Sequence, residues 1–378
     1  MGKEKRKVNY EFKLLYAIAI VFIVCGHCND GGINIFFNWF PLYAFHLGIF
    51  MFASGYFYSK KDECHIGKSI WHKIKKIVIP LYLYNFFYAI VVSVSRNWGF
   101  SIGDAVNLKS LFVMPWISGH QFSYNLGSWF LVPLILIYLF HLLTQKLLRK
   151  YMNTYMVFGI YLILGLFGSY LSMKGIYQTW YGLMLARCLY MLPFYGFGIL
   201  YREKIEHRWK IKSCIYFAVL FLIALIEITY YGNADHYTPA WCNDFNSIIR
   251  PHLIGFLGIL FWLRICKILA PVIARKKIVL LLANNTFSIM INHFLGFMLV
   301  KTVFAYINKI SYGVFFPTFD WEAYRSDLWY FYLPKELVQW SLVYVIAAIA
   351  VSLFIQYVIN KVKAGAISCF HIERYKDK

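Results

Sequence analysis

Ten apolar runs, each about the length needed to cross a bilayer, constrain the fold of this chain more than any other feature. A hydrocarbon core of about 30 Å requires roughly 20 apolar residues per helix. Backbone polar groups inside that core must pair within the segment, which favours helices. The runs lie near residues 12–28, 35–58, 77–95, 126–144, 154–173, 182–201, 213–231, 247–266, 278–305 and 336–358.

The composition agrees with these runs. Hydrophobic residues make up 60% of the 378 residues and charged residues only 15%, whereas soluble domains have roughly 25% charged residues. Most of the chain must therefore contact lipid. No repeat or long linker divides the sequence, so it predicts an all-α, polytopic membrane helix bundle of about ten transmembrane helices, with one domain over residues 1–378.

The net charge of +21 would suggest nucleic acid as a partner if the protein were soluble. The basic residues instead form short clusters between the apolar runs. A cytoplasmic amino terminus places every cluster on one side of the membrane, as the positive-inside rule requires. We therefore expect two cytoplasmic termini and membrane lipid, not nucleic acid, around this charge. The clusters lie within residues 3–7, 60–76, 146–150, 202–212, 264–277 and 361–378.

Neither processing nor disulfide bonding is expected to alter this arrangement. The first apolar run lacks a small-residue cleavage site, so we expect it to remain as a span. Of the eight cysteines, only Cys242 falls clearly in an outer loop, so no pair is available on the oxidising side. Cys25-Gly26-His27-Cys28 has the form of a redox or metal motif, but its place in an apolar helix favours packing, and no metal is expected.

Ionisable residues within spans mark the candidate site, because they are costly in hydrocarbon. At about 1.5 Å per helical residue, His27 and His293 lie about 22 Å from the cytoplasmic ends of their spans. His46 lies about 15 Å from the outer end of its span. The three histidines can therefore share the outer half of the membrane. A polar, glycine-containing segment, 29–32, follows His27, and such a break is tolerated where it lines an aqueous cavity.

Two arginines extend this set. Arg187 and Arg250 begin their spans from the outer side within about two turns, near the level of the histidines. A membrane histidine can also simply bridge two helices by a hydrogen bond. That interpretation is favoured for His141 and His252.

Six segments, in the same order, resemble landmarks of the acyltransferase 3 family of integral membrane acyltransferases. The resemblance is closest to its short, fucose 4-O-acetylase-type members. Two features depart from the family pattern. Lysine replaces the usual arginine at Lys73 and Lys76, and the basic residue that the family commonly has about ten residues before His27 is replaced by Tyr16 or Ala17, with Lys13 as the nearest base. The segments run from Ala17 to His27, Ala44 to Tyr56, Lys73 to Pro80, Gly127 to Leu131, Tyr190 to Gly198 and Leu282 to His293.

The resemblance implies an O-acetyltransferase. Its members most often move acetyl from cytoplasmic acetyl-CoA to a hydroxyl of a carbohydrate at or beyond the membrane, such as a polysaccharide or lipid-linked sugar. Acetyl-CoA would be the donor substrate, with no bound cofactor. The family implies a multi-pass protein of the bacterial plasma (inner) membrane.

The residues suggest roles in such a reaction. A sugar hydroxyl needs a general base, and the thioester carbonyl needs stabilisation of its oxyanion. His27 is the candidate base, with His46 or His293 orienting it or protonating the thiolate. The candidate substrate-binding residues are Trp129, Arg187, Arg250, Asn292 and Ser54, of which Trp129, Asn292 and Ser54 are candidate oxyanion donors. The candidate donor-binding residues, which would contact the phosphates of acetyl-CoA, are Lys73, Lys76 and Lys13.

Two other classes of function fit part of the pattern. A secondary transporter or exporter of a small polar solute also has many spans, intramembrane histidines and broken helices. The absence of an inverted repeat and the order of the six segments argue against it. A structural scaffold of an export complex would explain the hydrophobicity but not the buried histidines and arginines.

Overall fold

The computed structural model describes residues 8–28, 42–208, 211–232 and 237–376, and all regular structure within these ranges is helical. The α-helices are α1 Tyr10–Gly26, α2 Leu42–Tyr56, α3 Lys61–Cys64, α4 Ile66–Lys73, α5 Ile79–Asn97, α6 Met114–Ile117, α7 Leu131–Leu148, α8 Thr154–Met173, α9 Gly182–Leu200, α10 Ser213–Tyr231, α11 Arg250–Ile273, α12 Lys277–Asn284, α13 Thr286–Ile310, α14 Trp321–Ser326 and α15 Trp340–Lys376. Short π segments are Ile74–Val78, Lys109–Val113 and Tyr201–Ile205, and short 3₁₀ segments are Leu126–Phe130, Ile176–Gln178 and Pro334–Glu336.

The predicted all-α fold is confirmed. In the described part of the chain, eight continuous helices are long and apolar enough to cross a membrane. They coincide with the third to tenth predicted runs. The first two runs correspond to shorter helices, α1 with 17 residues and α2 with 15. Residues 35–41 of the second run, like the polar break at 29–32, lie outside the described residues. The total of ten crossings and the side of each terminus remain predictions.

Helix α1 lies at the centre of the bundle. It packs against α2, α11, α12 and α13, which explains why its sequence is apolar on all sides. The helix begins where the Asn9 side chain accepts a hydrogen bond from the Phe12 amide at 3.2 Å. It ends at Gly26, and the backbone of His27 leaves the helical conformation. His27 therefore lies at the end of a buried helix.

Helices α2 and α9 approach each other closely through glycine. A Cβ atom at Gly198 would collide with the carbonyl oxygen of Phe52, and one at Gly55 with the carbonyl oxygen of Tyr195. Small residues permit such backbone contact in membrane bundles. This contact fixes α2, and with it His46, against α9.

Two long connections meet at one end of the bundle. The Ser101 amide donates to the Arg325 carbonyl at 2.9 Å, and the rings of Phe100 and Tyr324 lie 5.1 Å apart. The connection from α5 to α7 thus contacts the connection from α13 to α15. We call this end the loop end.

Candidate active site

His27 and His293 form a buried pair. The ring nitrogens His27 Nδ1 and His293 Nε2 lie 3.0 Å apart, and the two rings are nearly parallel, at an interplanar angle of 18°, with centroids 5.0 Å apart. The side chains come from α1 and α13, which are neighbours in the bundle. The structure therefore places two of the three predicted histidines in direct contact.

The hydrogen bonds of this pair determine which nitrogens carry protons. His293 Nδ1 lies 3.1 Å from the carbonyl oxygen of Ile289, which can only accept. His293 Nδ1 therefore carries the proton of the neutral ring, and His293 Nε2 accepts a hydrogen bond from His27 Nδ1. The basic nitrogen of His27 is then Nε2. This pairing orients His27 as a proton acceptor.

His27 and His46 line one cavity. Its volume is about 20 Å³, room for roughly one water molecule. His46, on α2, is also buried. The other two predicted histidines, His46 and His293, thus both lie close to His27. The remaining described lining residues are Ile23, Leu47, Gly127, Trp129, Phe130, Thr238, Pro239, Ala240 and Met290.

Trp129 reaches this cavity because the preceding chain lies directly against α13. A Cβ atom at Gly127 would collide with the carbonyl oxygen of Met290, so glycine permits the close approach. The following 3₁₀ turn places Trp129 in the cavity wall. Within the described ranges its indole N–H has no hydrogen-bond partner. Trp129 therefore retains a donor beside His27.

Arg187 holds the loop end over the cavity. Its guanidinium carbon lies 4.5 Å from the centroid of the Trp129 ring, and the side chain is fully buried. It donates to the Ser118 carbonyl at 2.7 Å and the Ala240 carbonyl at 3.2 Å. Ala240 lines the cavity. Arg187 thus holds Trp129 and the loops that contain Ser118 and Ala240 in position.

His120 is a further hydrogen-bond partner of Arg187 that was not predicted from the sequence. Arg187 Nη2 donates to His120 Nε2 at 2.8 Å. Burial and the adjacent guanidinium charge hold the pKa of His120 well below its usual range. His120 therefore stays neutral and accepts this hydrogen bond. It lies in a loop, where no periodicity or span marks it.

Three further predicted substrate-binding residues, like Arg187, do not line the histidine cavity. Arg250 pairs with Glu227 of α10 and donates to the Gly232 carbonyl at 2.9 Å. Asn292 accepts from the Tyr88 hydroxyl at 2.8 Å and donates to the Ser288 carbonyl at 2.9 Å. These contacts join helices. Ser54 lines a different cavity.

This second cavity, of about 290 Å³, adjoins the first. Both cavities contact Phe130 and Met290, so these two side chains separate them. Lys73 and Ser54 line the second cavity, and Lys73 Nζ lies 4.2 Å from the centroid of the Tyr138 ring. A cation therefore borders a cavity that leads toward His27.

The other two predicted donor-binding lysines are placed differently. Lys76 is exposed and lies near Lys73. Lys13 donates from Nζ to Asn284 Oδ1 at 2.6 Å and so connects α1 to α12. Neither lysine lines the second cavity in the described structure.

Sequence reasoning also missed Lys301 and Trp329. Lys301 lies inside the ninth predicted run and is fully buried, so the search for ionisable residues in spans could have found it. Its Nζ donates to the Leu328 carbonyl at 2.7 Å. Trp329 follows Leu328, and its ring lies 6.1 Å from that of His27. No local pattern connects Trp329 to His27.

The fold and site define a polytopic helical membrane protein with a buried histidine pair, one member of which lines the smaller of two neighbouring cavities. Residues 9–360 match the model of the acyltransferase 3 family, which describes an acyltransferase domain. The chain belongs to this family and is a membrane acyltransferase. No curated protein and no solved structure matches the chain.

Proposed function

We propose that this acyltransferase moves acetyl from cytoplasmic acetyl-CoA to a hydroxyl of a cell-surface or lipid-linked carbohydrate. The observation that carries this proposal is the buried contact of His27 Nδ1 with His293 Nε2 at 3.0 Å, on the wall of a cavity that His27 and His46 line. The family match favours this enzyme over the alternative of a transporter or exporter. We further propose that it operates in a bacterial inner membrane, with membrane lipid around the bundle.

The second cavity is the proposed donor site. Lys73 and Asp62 line it, with Lys76 nearby, so two lysines against one carboxylate would offer net positive charge to the phosphates of acetyl-CoA. The narrow, extended pantetheine arm would pass between Phe130 and Met290, which border both cavities. Lys13 is bonded to Asn284 and would contribute charge from the α1–α12 contact. The thioester would then lie beside His27.

The proposed step is a direct acyl transfer. The acceptor hydroxyl oxygen attacks the thioester carbonyl carbon while His27 Nε2 takes the hydroxyl proton. The imidazolium that forms is stabilised by the hydrogen bond from Nδ1 to His293. Collapse of the tetrahedral intermediate breaks the carbon–sulfur bond, and the thiolate of CoA takes the proton from His27. His46, in the same cavity, would orient the reacting groups.

Trp129 is the proposed oxyanion donor. Of the three candidates, it lines the histidine cavity and keeps an indole N–H without a described partner. Asn292 is occupied by Ser288 and Tyr88, and Ser54 lies on the second cavity. Arg187 would act by holding Trp129 in place, and Arg250 by holding α10 against α11.

The decisive experiment measures transfer of radiolabelled acetyl from acetyl-CoA by the purified protein. The acceptors would be methyl glycosides of glucose, galactose, fucose and N-acetylglucosamine. We expect His27→Ala to lower kcat about 10²–10⁴-fold, the contribution typical of general-base catalysis. The matched control is His252→Gln, a buried membrane histidine that hydrogen-bonds to the Tyr190 carbonyl outside the site.

CoA binding measured by calorimetry would show that the two histidine variants are folded. Near-normal transfer by folded His27→Ala would remove His27 from the reaction. Transport of the glycosides without acetylation would favour the exporter. Unchanged CoA affinity in a Lys73→Gln, Lys76→Gln double variant would move the phosphate site away from these lysines.

A further inference from the structure

Trp329 offers an exposed aromatic surface beside His27. Among the described residues, the rings of His293, Phe294 and Trp329 contact the His27 ring. His293 and Phe294 are fully buried, whereas Trp329 keeps 38% of its surface exposed. Part of the Trp329 side chain, whose ring centroid lies 6.1 Å from that of His27, therefore remains accessible to a ligand.

A backbone hydrogen bond of Trp329 helps to hold its indole ring in place. The Trp329 amide donates to Asp327 Oδ1 at 2.8 Å, which turns the chain immediately before the ring. The ring packs edge-on against Phe294, with centroids 5.5 Å apart. These contacts fix one edge of the indole against α13. Trp329 is thus positioned before any ligand binds.

Lys301 secures the same turn from the bundle interior. A fully buried ammonium in a membrane helix is costly, so it must be compensated by specific partners. The Lys301 ammonium donates to the carbonyl of Leu328, the residue before Trp329. It also lies over the Phe331 ring at 5.0 Å. Lys301 thus contacts Leu328, the residue before Trp329, and Phe331, two residues after it. It acts as a positioning residue for Trp329.

We propose that Trp329 is the platform on which the acceptor sugar ring stacks, with Lys301 holding it in position. This proposal rests on the proposed function and names the acceptor subsite. A pyranose ring has an apolar C–H face that packs on an aromatic surface, while its hydroxyl groups project from the ring edge. Stacking on the accessible part of Trp329 would present one hydroxyl to His27. The rigid indole would select the ring, and its position would select the hydroxyl.

The first test observes binding without catalysis. The full-length protein, with its 12 tryptophans labelled as 5-fluorotryptophan, is titrated with the four methyl glycosides in a fluorine NMR experiment. Loss of one resonance in Trp329→Phe assigns that residue. We expect at least one glycoside to shift the Trp329 resonance saturably, while glycerol does not.

The second test measures kinetics with the glycoside that is acetylated fastest. Trp329→Ala should raise the acceptor KM about 3- to 10-fold, with the KM for acetyl-CoA unchanged. Trp329→Phe, which keeps an aromatic face, should recover most of the loss. Trp180→Ala is the matched control, because Trp180 is 72% exposed in a different loop.

The outcomes separate the two proposals. The platform is overturned if the wild-type protein acetylates glycosides but Trp329→Ala leaves the acceptor KM unchanged. It is also overturned if no acetylated glycoside shifts the Trp329 resonance. Both results leave the proposed function intact. If the wild-type protein neither acetylates nor binds any glycoside, the carbohydrate acceptor is wrong and the platform is wrong with it.

Discussion

At the scale of single residues, hydrogen bonds set the orientation and the proton positions of the buried His27 and His293 rings. Three histidines are buried near one another, but the Ile289 carbonyl fixes the proton of His293, and His293 in turn fixes that of His27. This series of hydrogen bonds resembles the arrangement of a general base held by an orienting group. Here the orienting group is a neutral imidazole. In the proposed reaction, the imidazolium of His27 would be stabilised by its hydrogen bond to His293 and by the dipole of the Ile289 carbonyl.

Substitution of His293 tests this arrangement. His293→Ala should lower kcat about 10–100-fold, in line with the loss of an orienting partner. His293→Gln should lose much less, because its side-chain carbonyl oxygen can accept from His27 Nδ1 near the position of Nε2. Both kcat values come from acetyl transfer to the best glycoside, with CoA affinity as the folding control. Equal losses in the two variants would contradict the orienting role.

At the scale of elements, glycine contacts determine where the functional side chains stand. Gly127 lets the 3₁₀ turn lie against α13, which brings Trp129 to the cavity. Gly198 lets α9 lie against α2, which carries His46. The driving force in lipid is close van der Waals packing, since lipid tails are as apolar as the helices. A methyl group at either contact would displace a helix and the site residue on it.

Two glycine substitutions distinguish close packing from simple helix propensity. Gly198→Ala should destabilise the protein by about 1–3 kcal/mol, because the methyl group overpacks the contact with Phe52. Gly159→Ala, on α8, should be neutral or stabilising by about 0.5–1 kcal/mol, since nothing lies within 4 Å of its Cβ position. Thermal unfolding in detergent measures both. A stable Gly198→Ala protein would show that the α2–α9 contact yields easily.

At the scale of the whole molecule, the two cavities suggest how substrates from opposite faces meet. The cavity lined by Lys73 and the cavity under the loop end share Phe130 and Met290. The positive-inside rule assigns the Lys73 end to the cytoplasm. The loop end then faces outward, where the carbohydrate acceptor would be found. Under the proposed function, donor and acceptor would approach from different sides, so the site would need no alternating access.

Cysteine labelling tests this orientation. Single cysteines at His72→Cys and Tyr312→Cys, both exposed positions, would be introduced after Cys64, Cys214 and Cys369 are replaced by serine. A membrane-impermeant maleimide applied to intact cells should label Tyr312→Cys, and should label His72→Cys only after the membrane is opened. Labelling of both from one face would refute the predicted topology.

The sequence by itself determined the helical class, the approximate limits of the apolar helices and the histidines of the site. These features follow from local rules, since the length of an apolar run and the cost of an ionisable group in hydrocarbon can be read one segment at a time. The grouping of His27, His46 and His293 was predicted in this way. Arg187 was predicted in the same way, as an ionisable residue in a span, whereas Trp129 was singled out by its resemblance to the family's tryptophan motif. The stacking of the two side chains was not predicted.

Only the tertiary structure decided which atoms meet. His27 and His293 are 266 residues apart, and their proton arrangement depends on the rotation and depth of two packed helices. The same is true of His120 against Arg187 and of Lys301 beneath Trp329. Hydropathy sets how long a helix is, but it leaves the helix free to rotate about its axis. Side-chain packing removes that freedom, and with it decides which polar groups become partners and which become the site.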